Sequence, residues 1–210
     1  MNEIRKEIVK WLRLLLILEV AGLVISLTGL IGLDLGSVRQ WISRLLTAGI
    51  IYALFGLGEG RYRTSAILKT VCLVITVGIT LANPIYANLV ATGATQQAEL
   101  YSNITLVLNV VMMAASWIAT WQLYNGHADL VENVDAPQSK RWRQLFWVNV
   151  MVAIPVSAIS YVLSMLVQKG SLSTELYGVL NILLMSLPLR LVDLLVIFYL
   201  YRTIKVLEKE

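Results

Sequence analysis

From Thr70 to Ala98 the chain carries no charged side chain, and the same is true from Leu100 to Gly126 and from Gln144 to Gln168. A helix needs roughly 20 predominantly apolar residues to cross about 30 Å of hydrocarbon, and each of these runs exceeds that length. Two further runs are nearly as clean. Leu14–Leu33 is broken only by Glu19, and Leu176–Tyr201 only by Arg190 and Asp193. A sixth run, Leu45–Gly58, is short. It reaches a full span when Trp41 is taken as an interfacial ring and Arg44 as a cation snorkelling to the headgroups. Charged residues make up 14% of the chain, against about 25% in soluble domains.

The distribution of basic residues sets an expected orientation. Arg5, Lys6, Lys10 and Arg13 precede the first run, and Arg61, Arg63 and Lys69 lie between the second and third. Lys140, Arg141 and Arg143 lie between the fourth and fifth, and Arg202, Lys205 and Lys209 follow the sixth. With six crossings all of these fall on one side, leaving Arg39, Arg44 and Lys169 opposite and Arg190 inside the membrane. Lys and Arg are retained on the cytoplasmic side. The sequence therefore predicts an all-α integral membrane protein with six transmembrane helices arranged as three hairpins and both termini cytoplasmic. The helices are placed at about 10–33, 41–58, 67–92, 100–125, 143–168 and 176–202 of one transmembrane domain covering 1–210. The expected location is a cell membrane, the inner or plasma membrane if the source is prokaryotic. The first helix reads as an uncleaved signal anchor, since its apolar run is too long for a cleaved leader.

The net charge of +4 follows from this topology and adds attraction to anionic lipid headgroups at the cytoplasmic face. It does not call for nucleic acid, because the basic residues are spread over four juxtamembrane segments rather than gathered on one face. A basic-aromatic knot opens each hairpin, "KWLR" at Lys10, "RYR" at Arg61 and "KRWR" at Lys140. A threefold repeat would produce that pattern, and so would positive-inside charge combined with aromatic belts at every inward helix start.

Several chemistries are excluded or unsupported. Cys72 is the only cysteine, so there is no internal disulfide and no cysteine-based metal cluster. The only histidine, His127, lies in "NGHADLVENVD", which reads as a solvated acidic cytoplasmic loop; one histidine with nearby carboxylates does not make a usual metal site. "GLGEGR" at Gly56 follows no strand and lacks the phosphate-loop spacing. "NIT" at Asn103 matches a glycosylation pattern but falls in or beside the fourth helix. "NPIY" at Asn83 is expected to end or bend the third helix, and Pro155 and Pro188 to kink the fifth and sixth. No catalytic set, cofactor or metal is expected.

The candidate site residues are polar groups at membrane depth. Arg190 and Asp193, three residues apart, can pair locally, with Ser186 one turn away on the same face. At 1.5 Å per residue Asp193 lies about 14 Å in from Arg202, and Glu19 about 9 Å in from Arg13 on the same side. Glu19 can reach the pair if the first and last helices are neighbours. Charges at such depth cost about 2.5–3.5 kcal/mol each on insertion scales, so a layer of Glu19, Arg190 and Asp193 implies mutual compensation. Either an ion network pins two helices together, or a site handles protons, ions or a ligand. Polar stripes run along other helices. Thr76 and Thr80 lie with Cys72 and Asn83 on the third, Asn109 and Ser116 with Met113 and Thr120 on the fourth, and Asn149, Ser157 and Ser160 with Ser164 on the fifth. Glu19, Gly22, Ser26 and Gly29 line the first. Such residues glue membrane helices together or line a solute cavity, and the two asparagines favour a cavity because an amide's hydrogen-bonding positions are seldom all filled by packing.

Two functions are therefore expected side by side. One is a small-solute binding or transport protein, or a subunit of one. The other is a non-transporting membrane protein, a regulatory or immunity-type component, with a protein partner or a homo-oligomer as its natural assembly. No motif in the chain ties it to a family.

Overall fold

The computed structural model describes residues 3–28, 36–58 and 60–209. Gly29 and the end of the first expected helix, the outer loop at Asp34 and Leu35, and Glu59 of the glycine-rich turn lie outside them. The described chain is helical throughout: α1 (Glu3–Thr28), α2 (Gly36–Leu57), α3 (Gly60–Ala91), α4 (Thr95–Val131), α5 (Ala136–Gln168), α6 (Thr174–Asn181) and α7 (Leu187–Lys209). A five-residue π-turn, Ile182–Ser186, joins α6 to α7 without a break. Five helical segments of the described chain are long and apolar enough to cross a membrane: α2, α3, α4, α5 and the continuous α6–α7. Large apolar side chains stand fully outward on them, Leu45 at 71% and Met151 at 74% exposure among others. Contiguous apolar surface on this scale belongs against lipid or protein rather than water.

Each helix packs on its sequence neighbour, and α7 closes the circuit by packing on α1 as well as on α5 and α4. Side-chain pairs show that neighbours run antiparallel. Trp11 near the start of α1 meets Tyr52 near the end of α2, Ser65 of α3 donates to the Ala119 carbonyl of α4, and Trp142 of α5 donates to Thr203 of α7. Arg13 and Glu208, 2.6 Å apart, tie α1 to the end of α7. One end of the bundle therefore carries the starts of α1, α3 and α5 and the ends of α2, α4 and α7. This end also carries most of the basic residues and is called the basic end below.

The turns are short and chemically specified. Gly93 (φ +74°) and Gly170 (φ +68°) take the left-handed conformation just beyond α3 and α5, where a Cβ would be strained. Asp135 caps α5 by accepting from the Gln138 amide at 2.9 Å, with Pro137 in the first turn where its missing N–H costs nothing. Pro84 does not end the third helix. The helix α3 continues through it to Ala91, as membrane helices tolerate when neighbours take up the freed backbone groups.

The packed core lies almost wholly at the basic end. Val9, Leu12 and Leu15 of α1, Leu54 and Leu57 of α2, Tyr62 and Ala66 of α3, Tyr124 and Ala128 of α4, Trp142 and Leu145 of α5, and Leu200 and Ile204 of α7 form one cluster. Toward the other end the buried apolar residues thin to Leu23, Ala98, Val156, Leu163 and Val192. The helices also extend further at the basic end than the apolar runs imply: α3 starts at Gly60, α4 ends at Val131 and α5 starts at Ala136. His127 is consequently not in a solvated loop but in α4, 1% exposed. Its Nδ1 lies 2.7 Å from the Tyr62 hydroxyl and its ring packs on Trp142 at 4.5 Å. "NGHADLV" looks like a loop because its residues are polar, but tertiary packing consumes that polarity. The nearby carboxylates are used at the rim: Asp129 takes Arg61 at 2.5 Å and Arg143 at 3.3 Å, and Asp135 takes Arg202 at 3.6 Å.

Candidate functional site

The polar interior lies in the other half of the bundle and is organised by α2. Arg39, Ser43 and Thr47 recur every four residues and therefore share one face of that helix, with Gly36, Gln40 and Arg44 on the adjoining face. Between α2, α3 and α4 this surface borders an open-sided chamber of about 720 Å³, lined also by Lys69, Cys72, Leu73 and Thr76 of α3 and Ser116 of α4, with Ser43, Thr76 and Ser116 exposed along it. Ligand pockets are commonly about 300–1,000 Å³. A second chamber of about 400 Å³ lies on the α1–α7 side, where Glu19, Ser26, Arg190 and Asp193 meet Arg39, Ser43 and Thr47. A third, about 200 Å³, adjoins the π-turn and is lined by Ser26, Arg39, Asn181, Ser186 and Arg190. Arg39 borders all three, so the chambers are grouped around one side chain.

The cations differ in how they are held. Arg39 donates to the Ser26 carbonyl at 3.0 Å, fastening α2 to α1. Arg44 reaches back toward the start of α2 and is held there by Trp41 and Thr80. Its guanidinium lies 4.6 Å from the Trp41 ring, Nη2 donates to the Thr80 hydroxyl at 2.5 Å, and Nη1 is buried with no hydrogen-bond partner among the described residues. Arg190 Nη1 and Asp193 Oδ2 are 2.6 Å apart within α7. Lys69 makes no ion pair within 4 Å among the described residues; its field falls on Glu19, which also feels Asp193. The three deep charges Glu19, Arg190 and Asp193 thus border one chamber, although the direct pairing is within α7 and the ionic tie between α1 and α7 is Arg13–Glu208.

The polar stripes divide. Thr76 and Ser116 line the largest chamber, and Thr80 holds Arg44. Thr76 and Thr80 also bond back to the carbonyls of Cys72 and Thr76, at 2.8 and 2.9 Å. Asn109 is exposed on α4 and Ser157 on α5, where it donates to the Ala153 carbonyl at 2.8 Å. Asn149 and Ser160 are half-buried. None of these four borders the chambers described above. Arg39, Ser43, Thr47 and Lys69 were not singled out in the sequence, although the four-residue spacing on α2 was there to be read.

No group of three His, Cys, Asp or Glu residues among the described residues is placed to hold a metal ion. The chain matches no family model, and no curated protein or solved structure is significantly similar to it.

Proposed function

We propose that this chain binds or transports a small solute, alone or as a subunit of a transport assembly, in the chambers around Arg39. In this reading α1 is a sixth span, its Leu14–Thr28 run interrupted only by Glu19, and the antiparallel helices form three hairpins in a cell membrane. The basic end, with both termini, faces the cytoplasm in accord with charge retention on that side. The packed core then closes the cytoplasmic side and the chambers sit toward the outer side. The solute is bound rather than chemically transformed.

The observation that carries the reading is the 720 Å³ polar chamber itself. Helices glued by small residues alone would approach closely and leave no such volume, whereas here three cations and several hydroxyls converge on it. Native mass spectrometry of the protein extracted gently from its own membrane tests the proposal. A retained small molecule is the expected result. A stoichiometric protein partner with no small molecule would instead support the non-transporting regulatory or immunity-type alternative, for which the outward apolar faces supply ample contact area.

A further inference from the structure

We infer that the largest chamber recognises an oxyanion, the phosphate or carboxylate head of an organic solute or of a lipid. This rests on the solute-binding reading above and names the chemical class of its ligand. Among the described residues lining that chamber there are three cations, Arg39, Arg44 and Lys69, and no carboxylate; the rest of the polar lining includes the hydroxyls of Ser43, Thr76 and Ser116. Thr76 and Thr47 already donate to the carbonyls of Cys72 and Ser43, so the donors this lining offers an anionic oxygen are the three cations, the hydroxyls of Ser43 and Ser116 and the Gln40 amide.

The Arg44 geometry points the same way. One arm of the guanidinium is held by Thr80 and its plane lies over Trp41, so the group is positioned before any ligand arrives. Its Nη1 is buried and has no hydrogen-bond partner among the described residues. A buried N–H on a cation is costly when unmade and forms strong, charge-assisted bonds to an oxyanion. Arg39 and Lys69 approach from separate helices. Glu19, whose charge interacts with that of Lys69, lines the neighbouring chamber together with Asp193 rather than this one, so the described lining of this chamber is positive. A cleft with one sign of charge and apolar walls concentrates the opposite sign within it.

Cys72 borders this chamber and is the sole cysteine, so it reports on the local potential without mutagenesis. The experiment compares the rates at which a negatively charged methanethiosulfonate (the ethylsulfonate) and a positively charged one (the ethyltrimethylammonium) label Cys72. Each rate is normalised to that with a free small thiol, on the purified full chain in a neutral maltoside detergent. The expected result is labelling by the anion faster by on the order of tenfold, with the preference reduced in Lys69→Gln and Arg44→Gln. Labelling should also be slowed by an anion that fills the chamber. Slowing by inorganic phosphate in detergent identifies a soluble oxyanion. Slowing only in phosphatidylglycerol vesicles, and not in phosphatidylcholine vesicles, identifies a lipid headgroup. Equal or faster labelling by the cationic reagent, or protection by neither anion, overturns the inference. The rates are measured on the wild-type protein, so poor folding of either variant leaves the test intact. Retention of an uncharged or cationic solute in the native mass spectra would overturn the oxyanion while leaving solute binding in place.

Discussion

The two halves of this bundle are built from the same helices yet obey different rules. At the basic end Tyr62, His127, Trp142 and Thr203 are buried with their polar atoms paired, and aliphatic side chains fill the space between them. In the other half the interior is charged and partly empty. Arg44 keeps one buried N–H without a partner among the described residues, and the side chains of Arg39, Ser43 and Lys69 border open volume. The basic end leaves one buried side-chain atom, Gln138 Oε1, without a partner among the described residues, but it is otherwise filled by packed side chains and is organised for stability. A half that leaves donors facing open volume has given up packing energy, and sites that bind ligands are where such departures are expected.

This contrast predicts a gradient of mutational cost, readable by thermal melts in detergent. The largest effect is expected from Trp142→Ala, which empties a fully buried indole site and strands Thr203; about 3–5 kcal/mol is typical of such truncations. Next comes Tyr62→Phe, which leaves the His127 Nδ1 without that hydroxyl inside the core, at about 1–3 kcal/mol. A smaller loss is expected from Arg190→Ala, and the Arg190→Ala/Asp193→Ala double variant should recover part of it, because the single change leaves a deep carboxylate unpaired. Equal melting of the two would show that the pair does not carry its own compensation. The smallest effect should come from the joint change Thr76→Ala and Ser116→Ala, within about 0.5 kcal/mol. If that variant melts like Trp142→Ala, the chamber is structural and the contrast between the halves fails.

The sequence was most informative where apolar length decides the outcome. As far as they are described, the three uncharged runs, the two runs broken only by Glu19 or by Arg190 and Asp193, and Leu45–Leu57 lie in helices apart from the turn after Ala91. A run that must satisfy its own backbone in lipid has few alternatives. It was least informative where polar residues are buried by tertiary contacts. The stretch around His127 carries turn-like composition, and nothing local shows that Tyr62 and Trp142 will enclose it. The charge layer of Glu19, Arg190 and Asp193 was visible because charges at membrane depth stand out. The basic face of α2 was not, because Arg39 and Arg44 near a helix start read as interfacial. Their inward orientation depends on Ser26 and Thr80, partners from other helices that periodicity does not identify.

The π-turn at Ile182–Ser186 bears on how the α6–α7 segment reads as a ruler. Gly178, Ile182, Ser186 and Arg190 all border one chamber, each four residues after the last. In a regular helix of 3.6 residues per turn, each such step drifts by about 40°, so Arg190 would lie about 120° round from Gly178. A π-turn spreads its turn over more residues and reverses part of that drift. The segment therefore carries two frames, one counted before Ile182 and one after Ser186, brought into phase by a single surplus residue. Removing any one residue between them would leave both helices intact and rotate their polar lines apart. Chain length in this segment is thus as much a part of the site as side-chain identity.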